Sequence, residues 1–164
     1  MENREEIYIS IFDEYRDRIL RLCFAYLDDK SFAEDIYQEV LLAIWNGLKN
    51  FRHESGYGTW VYRITVNTIF LFNRKAGRKR HEPLSDSIID ASVLEMEQKI
   101  LEEKSLEELY GAIAGLEEFD RILIGLYLEQ LKYEEIGSIL GITANHVGVK
   151  ISRIKEKLQK QLMQ

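Results

Sequence analysis

The sequence predicts an all-α protein made of two small helical domains, and three observations lead to that prediction. The chain of 164 residues contains a single proline, the residue least compatible with a helix interior. Apolar residues recur three and four positions apart along most of the chain, which is the period of an amphipathic helix. An acidic stretch with weak apolar periodicity, residues 82–104, separates the two helical parts, as expected of a linker.

The first predicted domain spans residues 1–81 and contains three helices. The first helix covers residues 5–27, and the lone Cys23 falls on its apolar face, where it should pack as a small hydrophobe. The second helix covers residues 32–50 and the third covers residues 60–76. In the third helix we expect one set of residues to face the core and another to face outward: Trp60, Val61, Ile64, Ile69 and Leu71 inward, and Tyr62, Arg63, Asn67 and Asn73 outward.

A polar stripe with an apolar centre lies opposite the core face of the second predicted helix. It consists of residues at helical spacing, Asp35, Gln38, Glu39, Leu42 and Asn46. Leu42 interrupts an otherwise polar surface, although isolated exposed leucines are common. The pattern therefore leaves two interpretations open, a plain solvent-exposed face or a contact face for a protein partner with a basic rim.

The loop predicted at residues 51–59 and the helix after it have features of a nucleic-acid contact. The loop combines aromatic rings with Arg52 and His53, so it can offer stacking and charge to an unpaired base, or it is a simple connector. The following helix has no acidic residue and ends in a run of cations, Arg74, Lys75, Arg78, Lys79 and Arg80. These exceed what complementing the helix dipole requires, which favours contact with phosphates.

The net charge of −6 conceals an uneven distribution. Residues 1–55 carry −5, residues 56–81 carry +6, residues 82–120 carry −10 and residues 121–164 carry +3. Binding to phosphates depends on the local patch, because salt screens charges beyond about 10 Å. Two basic patches around an acidic block are therefore compatible with a DNA partner. The acidic block is either a solvated tether or a segment that occupies a cationic channel meant for nucleic acid.

The second predicted domain, residues 105–164, ends in a helix-turn-helix. Ser105 and Glu108 suggest a capping box at the start of its first helix, and a second helix covers residues 117–128. Two further helices, residues 133–140 and 144–158, meet at Gly141, where a left-handed turn favours glycine.

The last of these helices has one apolar face and one polar face. Val147, Ile151, Ile154 and Leu158 recur at helical spacing on the apolar side, and Thr143 is the predicted N-cap. The opposite face carries the donors and cations that a DNA major groove accepts, with Val149 placed to meet a thymine methyl. The polar residues are Asn145, His146, Lys150, Ser152, Arg153 and Lys157. The alternative is an ordinary helical hairpin with a solvated basic face.

The sequence predicts no catalytic, cofactor or metal site. His53, His81 and His146 are far apart, and none stands at a metal-binding spacing from a cysteine or carboxylate. The glycine motifs of nucleotide-binding proteins and the GxSxG motif of hydrolases are absent from the sequence. With one cysteine, no signal peptide and no apolar run of about 20 residues, we expect a cytoplasmic protein without membrane insertion of its own.

These segments together resemble the extracytoplasmic-function (ECF) subfamily of sigma-70-type RNA polymerase sigma factors. AEDIYQEVLLAIW at residues 33–45 resembles region 2.2 of that family, and FRHESGYGTWVYRITVN at residues 51–67 resembles regions 2.3 and 2.4. YEEIGSILGITANHVGVKISRIKEKL at residues 133–158 resembles region 4.2. The resemblance implies an alternative sigma factor that directs core polymerase to promoters, assists their melting and has no catalytic activity.

The resemblance also implies roles for individual residues and a set of partners. Positions that bind the β′ subunit of core polymerase are matched by Asp35, Gln38, Glu39 and Leu42. Positions that hold the minus-10 element are matched by Arg52, His53, Tyr57, Arg63, Asn67, Arg74, Lys75, Arg78, Lys79 and Arg80. Positions that read the minus-35 element are matched by Thr143, Asn145, His146, Val149, Lys150, Arg153 and Lys157. The expected partners are the β′ and β subunits, promoter DNA and an anti-sigma factor.

Two other functions remain open from the sequence. One is a helix-turn-helix regulator that acts on DNA without binding polymerase. The other is an interaction protein that sequesters a partner with its acidic faces. The stripe from Asp35 to Asn46 distinguishes the regulator from a sigma factor, because a regulator of that kind needs no such surface.

Overall fold

The computed structural model describes residues 3–27, 29–75 and 103–164, and these ranges contain seven α-helices and no β-strand. The chain divides into two compact units, Met1–Lys79 and Arg80–Gln164. The prediction of an all-α protein is therefore confirmed. The predicted linker lies outside the described residues except for its last two positions. None of the helices in the described ranges has the length and apolar composition that crossing a membrane requires.

The first unit is built from three helices that pack against one another, α1 (Arg4–Tyr26), α2 (Ala33–Gly47) and α3 (Tyr57–Lys75). Asn3 caps α1 in a capping box with Glu6, which satisfies two backbone donors that the helix leaves free. Short 3-10 turns flank α2 on both sides. The three predicted helices are thus present.

Cys23 lies at the centre of this unit, with none of its surface exposed. Burial raises the pKa of its thiol to about 12, because a thiolate would lose its hydration in the apolar core. A thiol in this environment is unreactive at neutral pH. The prediction that Cys23 packs as a small hydrophobe is confirmed.

The outward and inward faces of α3 differ from the sequence prediction at three positions. Tyr62 and Asn73 were expected to face outward, but they are 3% and 6% exposed, whereas Leu71 was expected in the core and is 50% exposed. Polar side chains can be buried here because they have partners. Arg18 donates to the Tyr62 hydroxyl, and the Asn73 amide donates to the carbonyl of Tyr26.

The second unit contains α4 (Glu103–Ala114), α5 (Glu118–Leu128), α6 (Tyr133–Leu140) and α7 (Ala144–Leu162). Because α4 begins at Glu103, Ser105 lies inside the helix, and the prediction that it caps the helix is wrong. The bounds of α5 and α6 and the start of α7 agree with the prediction to within one residue, whereas α7 continues to Leu162, beyond the predicted end at residue 158. Residues from α5 and α6 complete the core against α7, which buries Val147, Ile151, Ile154 and Leu158 as predicted.

The turn between α6 and α7 depends on two glycines. Gly141 has a φ of 74° and ends α6 in the left-handed conformation that glycine adopts at low cost. A Cβ placed on Gly137 would lie 2.5 Å from the carbonyl oxygen of Ile142, so the chain can double back at this distance only without a side chain. Thr143 then caps α7 by accepting from the amide of His146. The predicted turn chemistry is confirmed.

Candidate protein and DNA interfaces

The exposed face of α2 carries the stripe predicted to meet a protein partner. Asp35, Gln38, Glu39 and Asn46 are all exposed, and Leu42 in the middle is 61% exposed. The opposite face of the helix packs Val40 and Ile44, both at 0% exposure, into the core. The core side of α2 is therefore fixed, while Leu42 is exposed to solvent on the other side. An exposed apolar side chain of this size is suited to burial by a protein partner.

An aromatic cluster connects the loop after α2 with the start of α3. The ring of Phe51 is its centre, with ring centroids 4.6 Å from His53, 4.8 Å from Tyr57 and 4.8 Å from Trp60. His53 adopts a positive φ of 55°, which turns the chain at the loop tip and leaves Arg52 and His53 exposed. The structure thus brings His53 and Tyr57 into contact, with the exposed Arg52 next to His53 in the chain.

The same cluster changes two details of the sequence prediction. The loop was expected to extend to residue 59, but α3 already begins at Tyr57. Tyr57 is therefore half-buried in the first helical turn rather than part of the loop. The sequence predicts Trp60 on the core side of the helix, and Trp60 packs against Phe51 there. The sequence interpretation did not identify Phe51 as the centre of the cluster.

The outward face of α3 continues from this cluster with polar and basic side chains. Asn67, Arg74 and Lys75 are exposed, and Arg63 is half-buried. The exposed Leu71 lies among them. The sequence predicts Arg78, Lys79 and Arg80 for the same surface, and these three residues lie outside the described residues.

The exposed face of α7 carries most of the residues predicted to read DNA. The exposed members are Thr143, Asn145, His146, Val149, Arg153 and Lys157. Val149 has 47% of its surface exposed between polar neighbours, as a contact for a thymine methyl group would require. The Thr143 hydroxyl accepts the capping hydrogen bond and retains its own proton to donate elsewhere.

Lys150 has a different environment from the other predicted DNA contacts. Its ammonium donates to the Asp120 carboxylate with 2.9 Å between Nζ and Oδ1, and it also lies 5.2 Å from the centre of the Phe119 ring. The Lys150 side chain is 29% exposed and that of Asp120 is 13% exposed. The structure therefore directs Lys150 toward α5 instead of placing it with Asn145 and Arg153.

A second lysine of α7, which the sequence interpretation did not consider, also contacts α5. The Lys155 ammonium donates to the Tyr127 hydroxyl with 2.8 Å between the two atoms, and it lies 4.5 Å from the centre of the same ring. The hydrogen bond to Tyr127 raises the pKa of Lys155. No local pattern could have revealed this pair, because its members are 28 positions apart.

The part of the chain that the structure describes contains no group of three or more histidine, cysteine, aspartate or glutamate side chains able to hold a metal ion. Its candidate functional surfaces are open faces of helices.

A helix-turn-helix whose second helix exposes donors and cations places the chain in the class of helical DNA-binding proteins. Family models narrow the class, since the model for sigma-70 region 2 matches residues 11–79 and that for sigma-70 region 4 matches residues 106–158. The chain therefore belongs to the sigma-70 family of RNA polymerase sigma factors, in its ECF subfamily. It is an alternative sigma factor that acts in transcription initiation.

Individual relatives support the same assignment. The chain is 30% identical to the RNA polymerase sigma-H factor of Pseudomonas aeruginosa, over 91% of this chain and 82% of the relative. It is 28% identical to the ECF sigma factor SigW of Bacillus subtilis, over 96% of this chain and 90% of the relative. Among solved structures, the sigma factor RpoE of Bartonella quintana, crystallised with the anti-sigma factor NepR, has the same fold. The TM-score is 0.74 at 19% identity, covering 96% of this chain and 98% of that one.

Proposed function

We propose that the chain binds RNA polymerase core through the exposed face of α2 and positions it on a two-part promoter. The observation that carries this proposal is Leu42, 61% exposed inside an acidic stripe. Asp35, Gln38, Glu39 and Leu42 would contact the β′ subunit, with the apolar side chain buried at the centre and the carboxylates facing a basic rim. Further contacts would reach the β subunit.

The aromatic cluster and the outward face of α3 would hold the minus-10 element. Melting by this route exchanges base stacking in the duplex for stacking on protein side chains, so the cost of unpairing is partly recovered. Arg52, His53 and Tyr57 would meet the unpaired base. Arg63, Asn67, Arg74 and Lys75 would hold the DNA backbone nearby, together with the basic residues Arg78, Lys79 and Arg80.

The exposed face of α7 would read the minus-35 element. Asn145 has the amide that recognises adenine, and Arg153 has the guanidinium that recognises guanine in the major groove. Thr143, His146 and Lys157 would contact the backbone at the edges of the groove, and Val149 would meet a thymine methyl. The first domain would end at residue 81 and the second would begin at residue 105. The acidic linker between them would set the distance between the two DNA contacts.

We further propose that the protein works in the cytoplasm, without catalytic activity, and is regulated by an anti-sigma factor. The Bartonella quintana sigma factor with the same fold was crystallised with such a partner. An anti-sigma factor that covers the exposed face of α2 would prevent this face from binding polymerase.

Run-off transcription with purified core polymerase on a promoter library tests the proposal. We expect specific transcripts only when both core polymerase and this chain are present. DNA binding without any polymerase-dependent initiation would contradict the proposal and favour a regulator that acts through its helix-turn-helix alone.

The aromatic cluster gives a separate prediction about melting. Replacing Tyr57 with alanine should weaken binding of the holoenzyme to a single-stranded minus-10 oligonucleotide by about tenfold, because stacking on an aromatic ring stabilises a base by about 1–3 kcal/mol. Tyr57→Phe keeps the ring and should bind normally. Binding to a minus-35 duplex, measured by fluorescence anisotropy, should be unchanged in both variants. Equal defects in both variants would show that the ring does not act by stacking.

A further inference from the structure

We infer that Lys150 and Lys155 are positioning residues, which fix the orientation of α7 on α5, and that they do not contact DNA themselves. The inference rests on the proposed function of α7 as the reader of the minus-35 element. It departs from the sequence prediction for Lys150, and it gives a role to Lys155, which the sequence did not single out.

The two lysines hold α7 at two separate points along α5. Asp120 lies in the first turn of α5 and Tyr127 lies in its last turn. Lys150 contacts the first of these residues and Lys155 contacts the second, at 2.9 Å and 2.8 Å. Each lysine also lies over an aromatic ring of α5, that of Phe119 for Lys150 and that of Tyr127 for Lys155. Both ends of α5 are therefore attached to α7 by directional bonds.

The positions of the lysines around α7 explain what these bonds control. At 100° per residue, Lys150 and Lys155 are about 140° apart, one on each side of the buried stripe formed by Ile151, Ile154 and Leu158. Apolar burial along the stripe is non-directional, so polar contacts at its flanks add a directional constraint on rotation of the helix about its own axis. Two polar contacts that flank the stripe oppose rotation in both directions.

A small rotation would be sufficient to disturb base recognition. Side-chain atoms at the surface of a helix lie about 5–6 Å from its axis, so a rotation of about 20° moves them by about 2 Å. Hydrogen bonds to base edges tolerate much less, since binding groups must be held within about 0.5 Å of their working positions. Fixing α7 in this way keeps Asn145 and Arg153 aligned with the groove.

The pairing with Asp120 also makes Lys150 a poor phosphate ligand. Its charge is already compensated by a carboxylate that is 13% exposed, and Asp120 in the first turn of α5 is favoured there by the helix dipole. A lysine that moved to a phosphate would leave this largely buried carboxylate without its ion-pair partner, which is unfavourable. Lys157 differs, since its side chain is exposed, although it lies about two turns further along the same side of α7.

The test measures promoter binding by the holoenzyme as a function of salt, on a promoter selected with the unaltered chain. Lys150→Met should lower affinity about tenfold, the usual scale for removing a charge-assisted hydrogen bond, without changing the slope of log K against log salt. Lys157→Met is the matched control. It removes a proposed phosphate contact and should reduce that slope by about 0.9. Lys150→Arg, which keeps the ion pair, should restore most of the affinity.

Asp120→Asn gives the sharpest comparison, because the two possible roles of Lys150 predict opposite changes in promoter affinity. If Lys150 positions α7, removing the carboxylate weakens promoter binding. If Lys150 contacts DNA, the same change frees the lysine and removes a nearby negative charge, so binding becomes tighter. Tighter binding by Asp120→Asn, or a slope reduced in Lys150→Met, overturns the inference.

The second contact point is tested by Tyr127→Phe, which keeps the ring under Lys155 and removes only the hydroxyl. We expect about a threefold loss of promoter affinity, with an unchanged salt slope, because a single exposed hydrogen bond is lost. Promoter affinity equal to that of the unaltered chain would remove Lys155 from the inference. Failure of the inference can be distinguished from failure of the proposed function of α7. If α7 does not bind the promoter, Lys157→Met would leave the salt slope unchanged.

Discussion

Replacing Gly137 with valine is expected to destabilise the second unit by about 3 kcal/mol, because a side chain at this position overlaps the backbone of the turn. The Cβ would lie 2.5 Å from the carbonyl oxygen of Ile142 and 3.4 Å from the amide nitrogen of Ala144. Both neighbours are backbone atoms, so no side-chain rotation relieves the contact.

The same residue also accepts the hydrogen bonds that end α6. The carbonyl of Gly137 accepts from the amides of Gly141 and Ile142, at 2.8 Å and 3.0 Å. Moving this backbone to make room for valine therefore disturbs the cap as well as the crossing of α6 and α7. We expect minus-35 binding to be lost together with stability, since the orientation of α7 depends on this turn.

The distribution of tryptophan allows the two units to be followed separately. Both tryptophans, Trp45 and Trp60, lie in the first unit. In urea titrations of Gly137→Val, the transition seen by tryptophan fluorescence should stay in place, while a transition seen by far-ultraviolet circular dichroism moves to lower denaturant. Gly111→Val is the matched control, because no atom lies within 4 Å of the position its Cβ would occupy. A similar loss of stability in both variants would contradict the steric argument.

The recognition helix could be predicted from the sequence because its determinants are local. Its apolar residues repeat at helical spacing, at Val147, Ile151, Ile154 and Leu158. In the turn before them, Gly141 ends α6 and Thr143 caps α7. Each of these signals depends on a few neighbouring residues. The prediction of four buried positions was therefore correct throughout, and so were both capping residues.

The errors in α3 have a common physical cause. Tyr62 is 44 positions from Arg18, and Asn73 is 47 positions from Tyr26. A polar side chain can enter a core when it finds a hydrogen-bond partner there, but the sequence does not reveal a partner at that distance. Periodicity alone therefore assigned Tyr62 and Asn73 to the surface and placed Leu71 inside.

The same limit applies to the candidate DNA face. The sequence predicts which residues lie on the outside of α7, but not which of them already have partners. Lys150 and Arg153 look equivalent in the sequence, yet Lys150 is paired with Asp120 and Arg153 is exposed. Only the packing of α5 against α7 distinguishes a cation available to DNA from one held in the protein.

Reversing the charge of Asp35 tests the proposal that the exposed face of α2 binds core polymerase. Asp35→Arg should weaken binding to core polymerase about 30-fold or more, because the arginine would face the basic rim of the partner, and like charges brought together at an interface cost about 2 kcal/mol or more. Binding is measured by anisotropy of the fluorescently labelled full chain titrated with core polymerase. Leu42→Ala should cause a comparable loss through lost apolar burial, with less dependence on salt.

Glu34→Arg provides the control for Asp35→Arg, because it makes the same charge change one residue away. Glu34 is also exposed in the first turn of α2, but it points about 100° away from Asp35 around the helix. A general electrostatic effect would weaken both variants to a similar degree, whereas a contact face distinguishes them. Unfolding of Asp35→Arg should match that of Glu34→Arg, because both variants replace an exposed acidic residue in the first turn of α2 and lose a similar interaction with the helix dipole. Equal loss in both variants would show that α2 does not present the proposed interface.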